Sequence, residues 1–268
     1  MKPLILGHRG AASLAPENSL QGIEKAHEIG ADGVEVDVQL SADNELVLFH
    51  DRDLVRTTNV AQIFPDRLRQ PLCRFTLAEL QHLETGSWFV ERDPFGQIHA
   101  GSITMHEQQA MAGILIPRLI EVLDFIREKN WFINIELKSF DDMKQPLKLV
   151  EALIALIDRV GLPVDSVAIS SFDHRLLYEV LSRRADLVVN ALIGSNRLLG
   201  NRWGSFEFKV YNANAAHIDE AQLSNAQAHG CRVNLYTVND LEQARTFARL
   251  GVAGLITDYP QDLVSLKT

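Results

Sequence analysis

Short β-type runs alternate with helical patterns along almost all of this 268-residue chain, and no other property narrows its fold as far. The strand-like runs are Leu4–Leu6, Gly33–Val38, Phe132–Leu137, Val167–Ser171, Leu187–Leu192, Ala215–Ile218, Val233–Val238 and Gly254–Ile256. Helical patterns fall at Asn18–Ile29, Arg118–Glu128, Met143–Val160, His174–Ser182, Asp219–Ala228 and Asp240–Arg249, with Asp173 and Asn239 placed as caps. Such alternation implies parallel strands joined by right-handed crossovers. Eight of them in about 250 residues match an α/β fold of the (β/α)8 TIM-barrel kind best, and a doubly wound open sheet second. Asn196–Tyr211, ahead of the sixth strand, has no clean period.

One segment breaks the rhythm. Glu45–His50 is β-like but follows the second strand too closely for a helical crossover. With Asp43-Asn44 as a two-residue turn, it predicts a β-hairpin in which Ala42 pairs with Glu45 and His50 lies opposite Asp37. Paired residues share a face, as do Glu35 and Asp37, so the hairpin gathers Glu35, Asp37 and His50 on one side. From Asp51 to Pro117 the barrel pattern stops, apart from one helix at Leu77–Leu83 begun by Thr76. This stretch is expected to be an insertion over the barrel mouth, within a single domain spanning residues 1–268. Its polar part, Gly96–Gly113, is expected to carry contacts to the alcohol side of a substrate.

Charge excludes one broad class of partner. The chain has 26 Lys plus Arg against 35 Asp plus Glu, a formal net charge of -9, whereas nucleic-acid binding needs a basic surface. Cys73 and Cys231 stand far apart and make no disulfide framework. Leu4–Gly7 is too short for the apolar core of a secretory signal, and no run approaches the ~18 apolar residues of a membrane span. The expectation is a cytoplasmic protein whose mature form begins near Met1.

In a barrel of this kind the active site lies at the C-terminal strand ends. Those ends carry His8 and Arg9; Glu35 and Asp37, with His50 from the hairpin; Glu136 and Lys138; Phe172; His217; Tyr236; and Asp258. A lone Glu-x-Asp on a strand is commonplace. Three carboxylates on neighbouring strand ends are costly unless something positive sits among them. Hard divalent cations, Mg²⁺ or Ca²⁺, take such oxygen ligands. Arg9 and Lys138 add a phosphate-binding pair, and His8 and His50 offer an acid and a base near neutral pH. Metal, phosphate clamp and two histidines together point to phosphodiester cleavage. His27, His82, His99, His106, His174 and His229 read as helix or loop surface.

The motifs also resemble those of the glycerophosphodiester phosphodiesterase family. The likeness runs through Gly7-His8-Arg9-Gly10, Ala15-Pro16-Glu17-Asn18-Ser19, Gly33–Val38, Phe49-His50-Asp51, Thr57-Thr58-Asn59 and Gly86-Ser87-Trp88-Phe89. It continues through Ile116-Pro117, Ile135-Glu136-Leu137-Lys138, Ser171-Phe172-Asp173, Val233–Asn239 and Ile256–Pro260, in the family's order. The resemblance implies a (β/α)8 barrel with His8 and His50 as the catalytic pair. It implies Glu35, Asp37 and Glu136 as ligands of a divalent metal, Arg9 and Lys138 as phosphate contacts, and Glu17 as support for the first-strand loop. Phe172 and Tyr236 would wall the mouth, with Tyr236 standing where many members carry Trp. The implied reaction cleaves a small glycerophosphodiester to sn-glycerol 3-phosphate and an alcohol. A lysophospholipase D-like activity, a glycoside hydrolase using Glu35 and Glu136, and a non-catalytic binding module are the competing readings.

Overall fold

The computed structural model describes residues 2–140, 146–195 and 200–267. Its first part runs β1 (Leu4–His8), α1 (Leu20–Ile29), β2 (Gly33–Leu40) and β3 (Leu46–Leu48), followed by α2 (Val60–Ile63), α3 (Leu77–Leu80), α4 (Ser87–Arg92) and α5 (Met105–Met111). The regular alternation then resumes with α6 (Leu119–Lys129), β4 (Phe132–Leu137), α7 (Leu147–Val160), β5 (Val167–Ser171), α8 (His174–Arg183) and β6 (Val188–Ile193). It ends with β7 (Val210–Asn214), α9 (Glu220–Ala228), β8 (Arg232–Tyr236), α10 (Leu241–Arg249), β9 (Gly254–Thr257) and α11 (Pro260–Leu263).

Eight of these strands pair in parallel, and β1 bonds to both β2 and β9, which closes the ring. The fold is a (β/α)8 barrel with one extra strand, β3, antiparallel on β2 outside the ring. Alternation on β2 explains why it is buried throughout. Val34, Val36 and Val38 join the apolar layer under the helices, while Glu35, Asp37 and Gln39 belong to the opposite face of the strand. The helices contribute apolar stripes. On α7, Leu149, Val150, Leu153, Leu156, Ile157 and Val160 are buried at helical spacing. Asp173 and Asp219 cap α8 and α9 as their sequence positions suggest.

Several expectations shift. The sixth barrel strand is Val210–Asn214, not Ala215–Ile218. The Asn214 side chain accepts from Ala216 N at 2.9 Å and turns 215–217 into a 3-10 turn, so His217 does not end a strand. Asp240, not Asn239, caps α10. The helix begun by Thr76 stops at Leu80. Residues 143–145 and 196–199, at the edges of two predicted segments, lie outside the described residues. No helix among the described residues is long and apolar enough to cross a membrane.

The hairpin exists, but one residue out of the expected register. Val38 pairs with Leu48, Gln39 with Val47 and Leu40 with Leu46, and Phe49 N donates to Asp37 O at 3.0 Å. Phe49, not His50, therefore opposes Asp37. The loop has three residues because Asn44 takes a left-handed conformation (φ 65°) and Ser41 bonds across to Glu45. Beyond β3, the span 51–117 builds two apolar clusters of its own. One centres on Leu54, Leu72, Phe75 and Leu83; the other, on Phe89, Ile103 and Met111, also takes in Ala15. Lys25 pairs with Glu107 at 3.0 Å and Gln21 donates to Ala110 O, so this insertion leans on α1.

Candidate active site

The turn after β1 owes its shape to two glycines. A Cβ on Gly7 would meet Gly10 O at 2.6 Å, and one on Gly10 (φ 94°) would meet the Gly22 backbone of α1 at 2.7 Å. The turn therefore lies tight against α1 and delivers His8 and Arg9 to the barrel mouth. Arg9 itself is left-handed (φ 55°), a strain of order 1–3 kcal/mol for a residue with a side chain. Its N–H donates to Glu35 Oε2 at 3.2 Å, and its backbone carbonyl accepts from Asn18 N.

The register of β2 on β4 sets Asp37 beside Glu136. One carboxylate oxygen from each of Glu35, Asp37 and Glu136 lies within 4.8 Å of the others, and all three residues are buried. Lys138 Nζ stands 2.7 Å from Glu136 Oε1 and 3.4 Å from Asp37 Oδ1. Asn18 braces Asp37 twice, donating from Nδ2 to Oδ2 at 2.8 Å and accepting from its backbone N–H. Arg9 Nε is 3.2 Å from Asp37 Oδ2 but out of line for a hydrogen bond, so this buried N–H is left for another acceptor.

Charge is unevenly settled across the cluster. Burial alone would raise Asp37, but Lys138 and Arg9 outweigh it and hold the carboxyl far below the usual range. Burial, reinforced by the Asp37 charge, pushes Glu35 up to about 8. Burial also raises Glu136, against the pull of Lys138. The three carboxylates thus lack enough positive charge to ionise together at neutral pH. A hard divalent cation would supply what the oxygen donor set lacks, and the residues fit one.

Both histidines are tethered alike. His8 Nδ1 is 2.6 Å from Asp258 Oδ1, and His50 Nδ1 is 2.7 Å from Asp51 Oδ1. A carboxylate at Nδ1 selects the ring with its proton there and leaves Nε2 to work. His8 Nε2 lies 4.0 Å from Glu35 Oε2. Burial works against a charged His8, but Asp258, helped by Glu35, keeps its proton affinity above the ordinary histidine value. Asn239 supports the tether by donating to Asp258 Oδ2 and accepting from Asp258 N. His50 shares the cavity although β3 is out of the expected register, because the pairing ends with the Phe49–Asp37 bond and parity no longer governs the chain beyond it.

These groups edge a cavity of about 280 Å³ that His8, Arg9, Glu35, His50, Glu136 and Lys138 line on one side. Across it stand Ser170, Phe172, Leu192, Asn212, Asn214 and Tyr236. Phe172 and Tyr236 meet edge to face at 6.1 Å, and Tyr236 donates to Ile193 O at 2.7 Å. Asp37 sits behind this lining, 1 % exposed. A larger open depression of about 700 Å³ lies on the outer surface near α7 and α8, away from the carboxylates. No described residue of 51–117 lines this cavity.

Every candidate ligand, base and phosphate contact named from the sequence borders this one site or lies directly beneath it. Several supports carry no role in the sequence reading, although Asn18, Asp51, Asn239 and Asp258 all stand within the motifs named there. Closure of the ring brings the last strand beside the first, and that was the signal for an Asp258–His8 pair. Arg56, within the insertion, had no signal beyond the motif that follows it.

Comparison with known proteins agrees with this geometry. Residues 8–262 match the family model described as the glycerophosphoryl diester phosphodiesterase family. A relative from Caldanaerobacter subterraneus subsp. tengcongensis, named glycerophosphodiester phosphodiesterase, is 30 % identical over 99 % of this chain and 98 % of its own. A Bacillus subtilis protein of the same name is 29 % identical over 96 % of this chain and 84 % of its own. Among solved structures, an Oleispira antarctica phosphodiesterase in complex with the product sn-glycerol-3-phosphate superposes with a TM-score of 0.80. It is 26 % identical, covering 99 % of this chain and 97 % of that one.

Proposed function

The chain belongs to the glycerophosphoryl diester phosphodiesterase family of phosphoric diester hydrolases, and from that premise we propose that it hydrolyses small glycerophosphodiesters to sn-glycerol 3-phosphate and an alcohol, with His8 and His50 as the acid–base pair. One observation carries the reading. Three buried carboxylates, two permanent cations and two carboxylate-tethered histidines meet around one cavity. The product held by the Oleispira antarctica relative supports the same substrate class.

Glu35, Asp37 and Glu136 would hold the divalent cation, either Mg²⁺ or Ca²⁺ by donor type, and when bound it supplies Lewis-acid polarisation of the phosphoryl group. Arg9 brings the unpaired Nε–H and Lys138 a compact charge to the non-bridging oxygens, where negative charge gathers in the transition state. One histidine Nε2 takes the proton of the attacking hydroxyl, and the other returns a proton to the leaving alkoxide. Asp258 and Asp51 steady the rings and the positive charge each carries in its protonated form, gained by the base and given up by the acid. Phe172, Leu192 and Tyr236 offer an apolar wall to the alcohol side. A cavity of about 280 Å³ suits a small diester.

The test is an assay of the purified chain on sn-glycero-3-phosphocholine, with coupled detection of sn-glycerol 3-phosphate. It is run with chelator and then with added Mg²⁺, Ca²⁺ or Mn²⁺. Cation-dependent release of sn-glycerol 3-phosphate and choline is expected. Release of phosphocholine instead, or no turnover with any cation, overturns the proposal.

A further inference from the structure

The insertion supplies no cavity wall, yet one of its first side chains joins the two ends of the charged site. Arg56 forks twice. Its Nε and Nη2 donate to Asp51 Oδ2 and Oδ1 at 2.6 and 3.0 Å, and its Nη1 and Nη2 donate to Glu17 Oε2 and Oε1, both at 2.7 Å. The two carboxylates are not idle partners. Asp51 Oδ1 also holds His50 Nδ1, and Glu17 Oε1 also accepts from Arg9 Nη1 at 2.9 Å. A continuous path therefore runs from His50 through Asp51, Arg56 and Glu17 to Arg9.

We propose that Arg56 is a positioning residue, one guanidinium that locks His50 and Arg9 in a fixed mutual geometry through Asp51 and Glu17. The proposal rests on the roles given above to His50 and Arg9. Its physical reason is the planar fork. Two bidentate carboxylate contacts on one rigid plane fix the angle between the two acids, which a point charge cannot do. Without it, Asp51 and Glu17 face each other across the gap as like charges and turn away. The His50 ring and the Arg9 side chain then lose their alignment. Trp88 stands by the guanidinium, 5.8 Å from ring centroid to Cζ, so this part of the insertion also backs the contact.

The experiment compares wild type, Arg56→Gln, Arg56→Lys and Arg56→Ala as full-length, cation-loaded protein on sn-glycero-3-phosphocholine. Misalignment on the scale of an ångström predicts that Gln lowers kcat by about 10²-fold, well beyond its effect on KM. Lysine satisfies one carboxylate at a time and is expected to recover only part of the loss. Guanidinium ion added to the Ala variant is expected to restore turnover further. Cation affinity, read by calorimetry, stays near wild type because Arg56 touches no ligand. Proton NMR supplies a readout independent of turnover. The downfield His50 Nδ1–H signal, assigned through His50→Gln, is expected to broaden or vanish in Arg56→Gln while that of His8 persists. Turnover by Arg56→Gln within about threefold of wild type overturns the proposal. So does a loss that merely tracks the folded fraction with both Nδ1–H signals intact. An inactive wild type overturns the reading of the reaction instead, and the NMR signals still decide whether Arg56 orders His50.

Discussion

The two walls of the cavity are built on different principles. Strands β1, β2 and β4 carry His8, Glu35, Asp37 and Glu136, with Arg9 and Lys138 just past their ends; Lys138 and Arg9 serve Asp37 and Glu136, while Glu35 has only His8 at 4.0 Å. On β4 through β8 a neutral layer takes over. Asn134 donates to Ser170, Asn190 donates to Asn134, and Asn234 donates to Asn212, with Phe172 and Tyr236 above. Removing one partner of a buried ion pair costs roughly 3–5 kcal/mol, whereas leaving a neutral polar group unpaired costs roughly 1–3. On the proposed function the charged wall is therefore the reactive and easily damaged half, and the neutral wall the shaping half. A barrel divides this way because each strand end delivers its side chains to one shared mouth. Chemistry can then occupy adjacent strands and leave the rest to recognition.

That contrast fails most visibly, if it fails, at Asp37. Asp37→Asn is expected to lower turnover by about 10³-fold or more, since on the proposed function it removes a cation ligand. It should also lower the melting temperature of the cation-free protein, because Lys138 and Arg9 lose a buried counter-charge. Activity near wild type in Asp37→Asn breaks the division into walls. The histidines come next. His8→Gln and His50→Gln should each reduce kcat by about 10²-fold while calorimetric cation affinity holds, and full activity in either variant removes that residue from the acid–base pair.

The third expectation concerns pH. Glu35, raised to about 8 from an ordinary value of 4.5, binds its proton more tightly in the native state than in the unfolded chain. Its contribution to stability is complete below pH 4.5 and fades as pH rises through 8. Glu136 and His8, also raised, act in the same direction. Urea denaturation of the cation-free protein between pH 5 and 8 should lose of order 1–3 kcal/mol. Bound cation should flatten the curve, and cation binding at neutral pH should release protons to the buffer. A flat curve without cation means that the carboxylates are balanced without it. The smallest effect belongs to the neutral wall. Phe172→Ala is expected to change KM or alcohol preference a few-fold and leave kcat nearly unmoved. A kcat loss equal to that of His50→Gln would erase the distinction between the walls.

Much of this was legible before any coordinates. The β runs at Phe132–Leu137 and Val167–Ser171 are found residue for residue, because their apolar residues are β-branched or aromatic for the most part and their flanks are clear. Glu35, Asp37 and Glu136 could be read as convergent because strand ends in a barrel share one mouth. The sixth strand was misplaced because Asn212 and Asn214 interrupt an apolar pattern with side chains that serve the barrel interior and a cap. The hairpin register slipped by one because the turn hinges on the left-handed Asn44, and backbone conformation is not visible in residue type alone.

What the sequence determined by itself is the inventory and its order: seven of the eight barrel strands at their places along the chain, the acidic and basic residues at their ends, and two histidines each with a carboxylate for the fold to bring near. These are local properties, set by periodicity and by which residues follow which. What only the tertiary structure decided is who holds whom. Asp258 reaches His8 across 250 positions because the ring closes between β9 and β1. Arg56 reaches Glu17 across 39 because the chain beyond β3 turns back over the first-strand loop. Such partnerships depend on distance in space and on burial that strengthens every charge, and neither quantity is carried by spacing along the chain.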